Sequence, residues 1–83
     1  MTDRDQEIIE RIDALVEEEH ALERHYRDGK PMSSDDHARL RALEVQLDQL
    51  WDLLRQRRAR RAAGLDPDLA IERDAGTVEG YRQ

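Results

Sequence analysis

The sequence predicts an all-α protein: an antiparallel, coiled-coil-like helical hairpin that pairs with a second copy into a four-helix bundle and carries a C-terminal tail. Three observations predict it. Isoleucine and leucine recur at alternating spacings of three and four along two segments. A break of about five residues, Gly29 to Ser33, separates the segments, a length usual between antiparallel neighbours. Charged residues make up 41% of the 83 positions and aromatics only 4%, a profile that suits long amphipathic helices.

Residues 1–63 are expected to form the hairpin. Helix one is predicted over about 3–28, where no glycine or proline interrupts the chain. Its stripe is Ile8, Ile12, Leu15, Leu22 and Tyr26, with Glu19 filling the one gap and Ile9 and Val16 widening one side. The turn spans 29–33, where Gly29 can adopt a left-handed cap and Pro31 cannot continue a helix. Helix two is predicted over about 34–63. Ser33 with Asp36 resembles a capping box with a shorter acid, and Asp35 and Asp36 suit the positive end of the helix dipole. Its stripe is Leu40, Leu43, Leu47, Leu50 and Leu54, and Gly64 is the expected C-terminal cap.

Folding one helix back on the other opposes residues whose numbers sum to about 62. That register pairs Leu22 with Leu40, Leu15 with Leu47, Ile12 with Leu50 and Ile8 with Leu54. It also places Glu23 beside Arg39 and Asp5 beside Arg57. Stripe, loop length and flanking charge agree, which is stronger than any one of them.

The chain is acidic, with a net charge of −6, yet Arg55, Arg57, Arg58, Arg60 and Arg61 crowd the end of helix two. Overall acidity disfavours a simple phosphate-backbone binder. The register sets the run beside Asp3, Asp5, Glu7 and Glu10, and the arginines point in several directions around the helix. An internal or inter-chain charge role is therefore favoured over nucleic acid.

A two-helix hairpin covers each apolar stripe from one side only. Trp51 and Leu53 flank the seam of helix two, and Ile9 and Val16 flank that of helix one. A second hairpin would bury them, so a homodimer is expected. The tail, 64–83, could cover the same patch instead. Asp66-Pro67 can open a short helix, and Leu65, Leu69, Ile71, Val78 and Tyr81 are too sparse for a core of their own. A short helix, a docked strap and a loose terminus all fit the tail.

Chemistry is sparse. With no cysteine, disulfides and thiolate metal sites are excluded, which fits a reducing cytoplasm. The acidic start has no long apolar run, so no signal peptide is expected, and no segment reaches the roughly 20 apolar residues of a membrane span. Glu17 and His20 have the Glu-x-x-His spacing of di-iron bundles, but their phase turns them away from the seam. No Gly-rich phosphate loop or Gly-x-Ser-x-Gly is present. No cofactor, metal or small-molecule substrate is expected.

Three resemblances bear on function. LRALEVQLDQLWDLLRQRRARR resembles the long first helix of helical chorismate mutases. Those enzymes hold a dicarboxylate with inward cations from three helices, whereas the one lysine here, Lys30, lies in the turn. The acidic tip, with Asp28, Asp35 and Asp36, is similar in shape to hairpin factors that enter the secondary channel of bacterial RNA polymerase. IDALVEEEHAL (12–22), HARLRALEVQLDQLWDLLRQRRARR (37–61), GLDPD (64–68) and VEGY (78–81) together resemble a family of short actinobacterial helical proteins known only as a domain of unknown function. That resemblance implies that the tail belongs to the protein, and it brings no activity with it.

The function expected from the sequence is therefore a non-enzymatic, dimeric hairpin that binds another protein. Trp51, Leu53, Arg55, Arg57, Arg58, Arg60, Arg61 and Tyr81 are its expected contact residues. The alternative is a regulator that meets the transcription machinery or nucleic acid through the run 55–61 or the acidic tip.

Overall fold

The computed structural model describes residues 4–27 and 29–80. Two long helices pack as an antiparallel hairpin: α1 (Arg4–His25) and α2 (Ser34–Ala62). A single 3-10 turn, Pro67–Leu69, and a short helix, α3 (Ala75–Gly80), follow and lie along α2. No strand occurs among the described residues.

Helix α1 stops at His25, short of the expected Asp28. The next residues close tighter turns, with Tyr26 N–H donating to Glu23 O and Arg27 N–H to Arg24 O, both at 3.2 Å. Tyr26 then reaches across the turn and donates its hydroxyl to the Asp36 carboxylate. Gly29 takes φ +79°, a conformation disfavoured by a Cβ. On the far side Ser33 Oγ accepts the Asp36 N–H at 3.1 Å and starts α2.

The end of α2 is set by Gly64 at φ +73°. Leu65 N–H donates back to Arg60 O at 2.8 Å and Gly64 N–H to Arg61 O at 3.1 Å, which satisfies carbonyls the helix would otherwise leave open. The left-handed step at Gly64 also reverses the chain, so the tail runs back along the helix it has just left.

The core consists of Ile8, Ile12, Leu15, Leu43, Leu47, Leu53 and Leu54. Both stripes contribute, and each fully buried side chain of this size is worth about 1.5–3 kcal/mol. The core gives out toward the turn, where Leu22 and Leu40 are only half-buried. Glu19 lies in that thinner region and is itself half-buried, so its carboxylate keeps access to water.

One expected ion pair is replaced. Arg39 bonds Glu18, not Glu23. Glu23 stands at the right height along α1 but lies five residues from Glu18, about 140° around the helix, and so faces the wrong flank.

Candidate functional site

Arg57 is the structural junction. It is only 3% exposed. Its Nε donates to Asp5 of α1. Its Nη1 donates to Pro67 O at 3.0 Å and to Asp68 Oδ1 at 2.9 Å in the tail. One guanidinium thus joins α1, α2 and the tail. Arg61 adds a second cation to the same Asp5 carboxylate. The hydrogen bond from Arg57 holds the Asp5 carboxyl below the usual carboxylate range against the opposing effect of burial, with Arg61 adding to it. The same bond raises Arg57, again against burial, with Asp68 assisting.

The rest of the tail is held by a polar flank of α2. Arg60 Nε donates to Asp66 O at 2.7 Å, Gln56 Nε2 to Ile71 O at 2.8 Å, and Gln49 Nε2 to Arg73 O at 3.4 Å. Asp52, nearly buried, accepts from Gln56 Nε2 at 3.0 Å and lies 3.4 Å from Arg73 Nε. Val78 of α3 is buried, and Asp74 caps that helix by accepting the Thr77 N–H at 2.9 Å. That bond lowers the Asp74 pKa. Every buried side-chain nitrogen and oxygen among the described residues has a partner.

Tail and hairpin enclose a groove of about 960 Å³ with Leu53 on its wall. Arg4, Arg57 and Arg61 line it together with Glu7, Asp68 and Glu72. The two signs balance, so the groove offers no net charge to select an ionic ligand.

The expected contact surface divides in two. Leu53 is 5% exposed and lies inside the chain, because the tail crosses over it; Arg57 is interior for the same reason. Arg60 and Arg61 are engaged with the tail and with Asp5. Trp51 stays 41% exposed. It lies two residues from Leu53, about 200° around α2, on the flank the tail leaves open. Arg55 and Arg58 are exposed and make no ion pair among the described residues. Tyr81 lies outside the described residues.

At the hairpin tip, Asp35 is exposed while Asp36 is engaged by Tyr26; Asp28 lies outside the described residues. Glu17 and His20 are both exposed on the outer face of α1. Among the described residues no three His, Asp or Glu side chains gather as metal ligands would. No helix among them is long and apolar enough to cross a membrane.

Sequence reasoning passed over Gln49, Asp52 and Gln56, which hold the tail. A signal was present: an aspartate inside the apolar run Trp51-Asp52-Leu53-Leu54 needs a partner if the run is buried on both sides.

Residues 4–83 match the family model described as a protein of unknown function, DUF2630. The uncharacterised protein Rv0898c of Mycobacterium tuberculosis (strain ATCC 25618 / H37Rv) is 49% identical over 77 residues, covering 93% of this chain and 88% of that protein. The uncharacterised protein Mb0922c of Mycobacterium bovis (strain ATCC BAA-935 / AF2122/97) matches to the same extent. No solved structure matches.

Proposed function

The chain belongs to the DUF2630 family of proteins of unknown function, and we propose that it is a non-enzymatic protein-interaction module, a helical hairpin that dimerises and presents its faces to a protein partner. One observation carries this reading: Trp51, an indole 41% exposed midway along a 29-residue helix. Tryptophan is the side chain most enriched at binding hot spots. The chain is 16 Å across its thinnest Cα extent, so it has too few layers to bury that flank itself.

Nucleic-acid binding through the arginine run draws less support. Arg57, Arg60 and Arg61 are engaged within the chain, leaving Arg55 and Arg58 as its free cations among the described residues. Two charges on an acidic protein make a poor phosphate tracker.

The reading is tested by light scattering over a concentration series, combined with capture from native lysate on immobilised wild type and Trp51→Ala. Dimer mass, and a protein retained by wild type but not by the variant, support it. A single 9.8 kDa species at high micromolar concentration, with identical capture by both baits, would overturn it.

A further inference from the structure

The open flank of α2 carries an ordered charge pattern. Glu44, Asp48, Trp51, Arg55 and Arg58 follow one another at spacings of four, three, four and three. Within an α-helix that spacing keeps all five on one stripe about 80° wide. Glu44, Trp51, Arg55 and Arg58 are exposed and Asp48 is half-buried. The stripe therefore reads acid, acid, tryptophan, base, base.

Neighbours along the stripe do not account for that order. Glu44 and Asp48 are four residues apart and Arg55 and Arg58 three apart, so the helix sets like charges side by side, which disfavours an isolated helix. The helix dipole acts over the first and last turns. Glu44, Asp48 and Arg55 lie well inside Ser34–Ala62.

The order becomes favourable against its own reversal. We propose that this stripe is a self-complementary interface on which a second copy of the chain docks, α2 antiparallel to α2, with the two-fold axis at Trp51. Opposed residues then have numbers summing to about 102. Trp51 meets the second copy's Trp51, Glu44 meets its Arg58, and Asp48 meets its Arg55. Symmetry makes each ion pair twice. A parallel arrangement would set Glu44 on Glu44 and Arg58 on Arg58, so charge selects the antiparallel one. The two indoles supply the desolvated centre and the charges the wet rim.

The hairpin supports this flank with further apolar surface. Leu53 and Glu7 both line the tail groove. Trp51 is two residues from Leu53 and Ile9 two residues from Glu7, so both project toward the opposite face. Val16, two turns beyond Ile9, continues that side, and both aliphatic residues are half-buried. Asp48 also interacts within its own chain, so Glu44 and Arg58 are the pair to test.

The inference rests on the dimer of the proposed function and adds its geometry. The experiment is sedimentation equilibrium of the full chain as wild type, Glu44→Arg, Arg58→Glu, the double swap and Trp51→Ala, with helicity followed by circular dichroism. Arg58→Glu relieves like charge at Arg55 and Arg61, whereas Glu44→Arg relieves it at Asp48 and meets Arg41, so circular dichroism separates a loss of helix from a loss of association. Expected is a wild-type dimer whose Kd rises about tenfold or more in each single swap, because each acts twice. The double swap should return to within about threefold of wild type, while Trp51→Ala weakens association without loss of helix. A wild-type dimer indifferent to all four variants overturns this interface and leaves dimerisation standing. A wild-type monomer overturns both.

Discussion

Arg57 and Asp5, fifty-two residues apart in sequence, meet through the Arg57 Nε at the open end of the hairpin, far from the turn. The guanidinium is interior, while its tail partner Asp68 is mostly exposed. Removing a buried charge partner is costly, whereas an exposed pair is worth little.

Arg57→Ala should therefore lower unfolding stability by about 2–4 kcal/mol. It removes the bonds to Pro67 O and Asp68 and so loosens the tail as well as the Asp5 contact. Asp68→Ala should cost no more than about 1 kcal/mol. Urea denaturation followed by circular dichroism measures both. Equal losses for the two variants would mean that Arg57 is not the junction.

Acid should act through Asp5. Its folded pKa is depressed, so it contributes stability that is present above its unfolded pKa of about 3.9 and is lost as pH falls through the folded value. Asp74, lowered by its bond from Thr77, has the same sign. The stability gap between wild type and Asp5→Asn should be level from neutrality to about pH 5 and shrink below about pH 4. A gap that widened in acid would contradict the assignment. Urea midpoints at matched ionic strength give the answer.

Leu53 should report whether the tail is docked. In the full chain Leu53→Ala should cost about 2–3 kcal/mol, as for a buried leucine. In a chain ending at Gly64 the same change should cost less than about 1 kcal/mol, because the side chain already meets water. The difference is a coupling energy between Leu53 and the tail. Additive losses would show that the two do not interact in solution.

Gly64 gives a test of backbone alone. It holds φ +73°, and a Cβ there would meet nothing within 4 Å. Gly64→Ala should cost about 1 kcal/mol through the left-handed conformation, without any clash. A thermal melt showing no change would indicate that the cap relaxes.

The hairpin was legible in the sequence because its determinants are local. Stripe period, Ser33 as a cap, and the glycines at positions 29 and 64 all act through near neighbours, and the buried Ile8, Ile12, Leu15, Leu43, Leu47 and Leu54 are stripe residues. Asp5 against Arg57 was legible too, since an antiparallel turn of known length fixes height. Height does not fix phase, and Arg39 pairs with Glu18 because Glu23 faces the other flank of α1.

What only the tertiary structure decided is the role of the second flank. Trp51 and Leu53 look alike in a linear reading as apolar neighbours beside a seam. Two residues carry the chain more than halfway around a helix, so they serve different faces. The sequence by itself determined two amphipathic rods and their antiparallel return. The side on which the tail lies depended on bonds that Gln49, Asp52, Gln56 and Arg57 make with Ile71, Arg73, Pro67 and Asp68 across 10 to 24 residues. Most of those bonds end on backbone carbonyls, and every residue in the chain carries one, so no side-chain pattern could announce them.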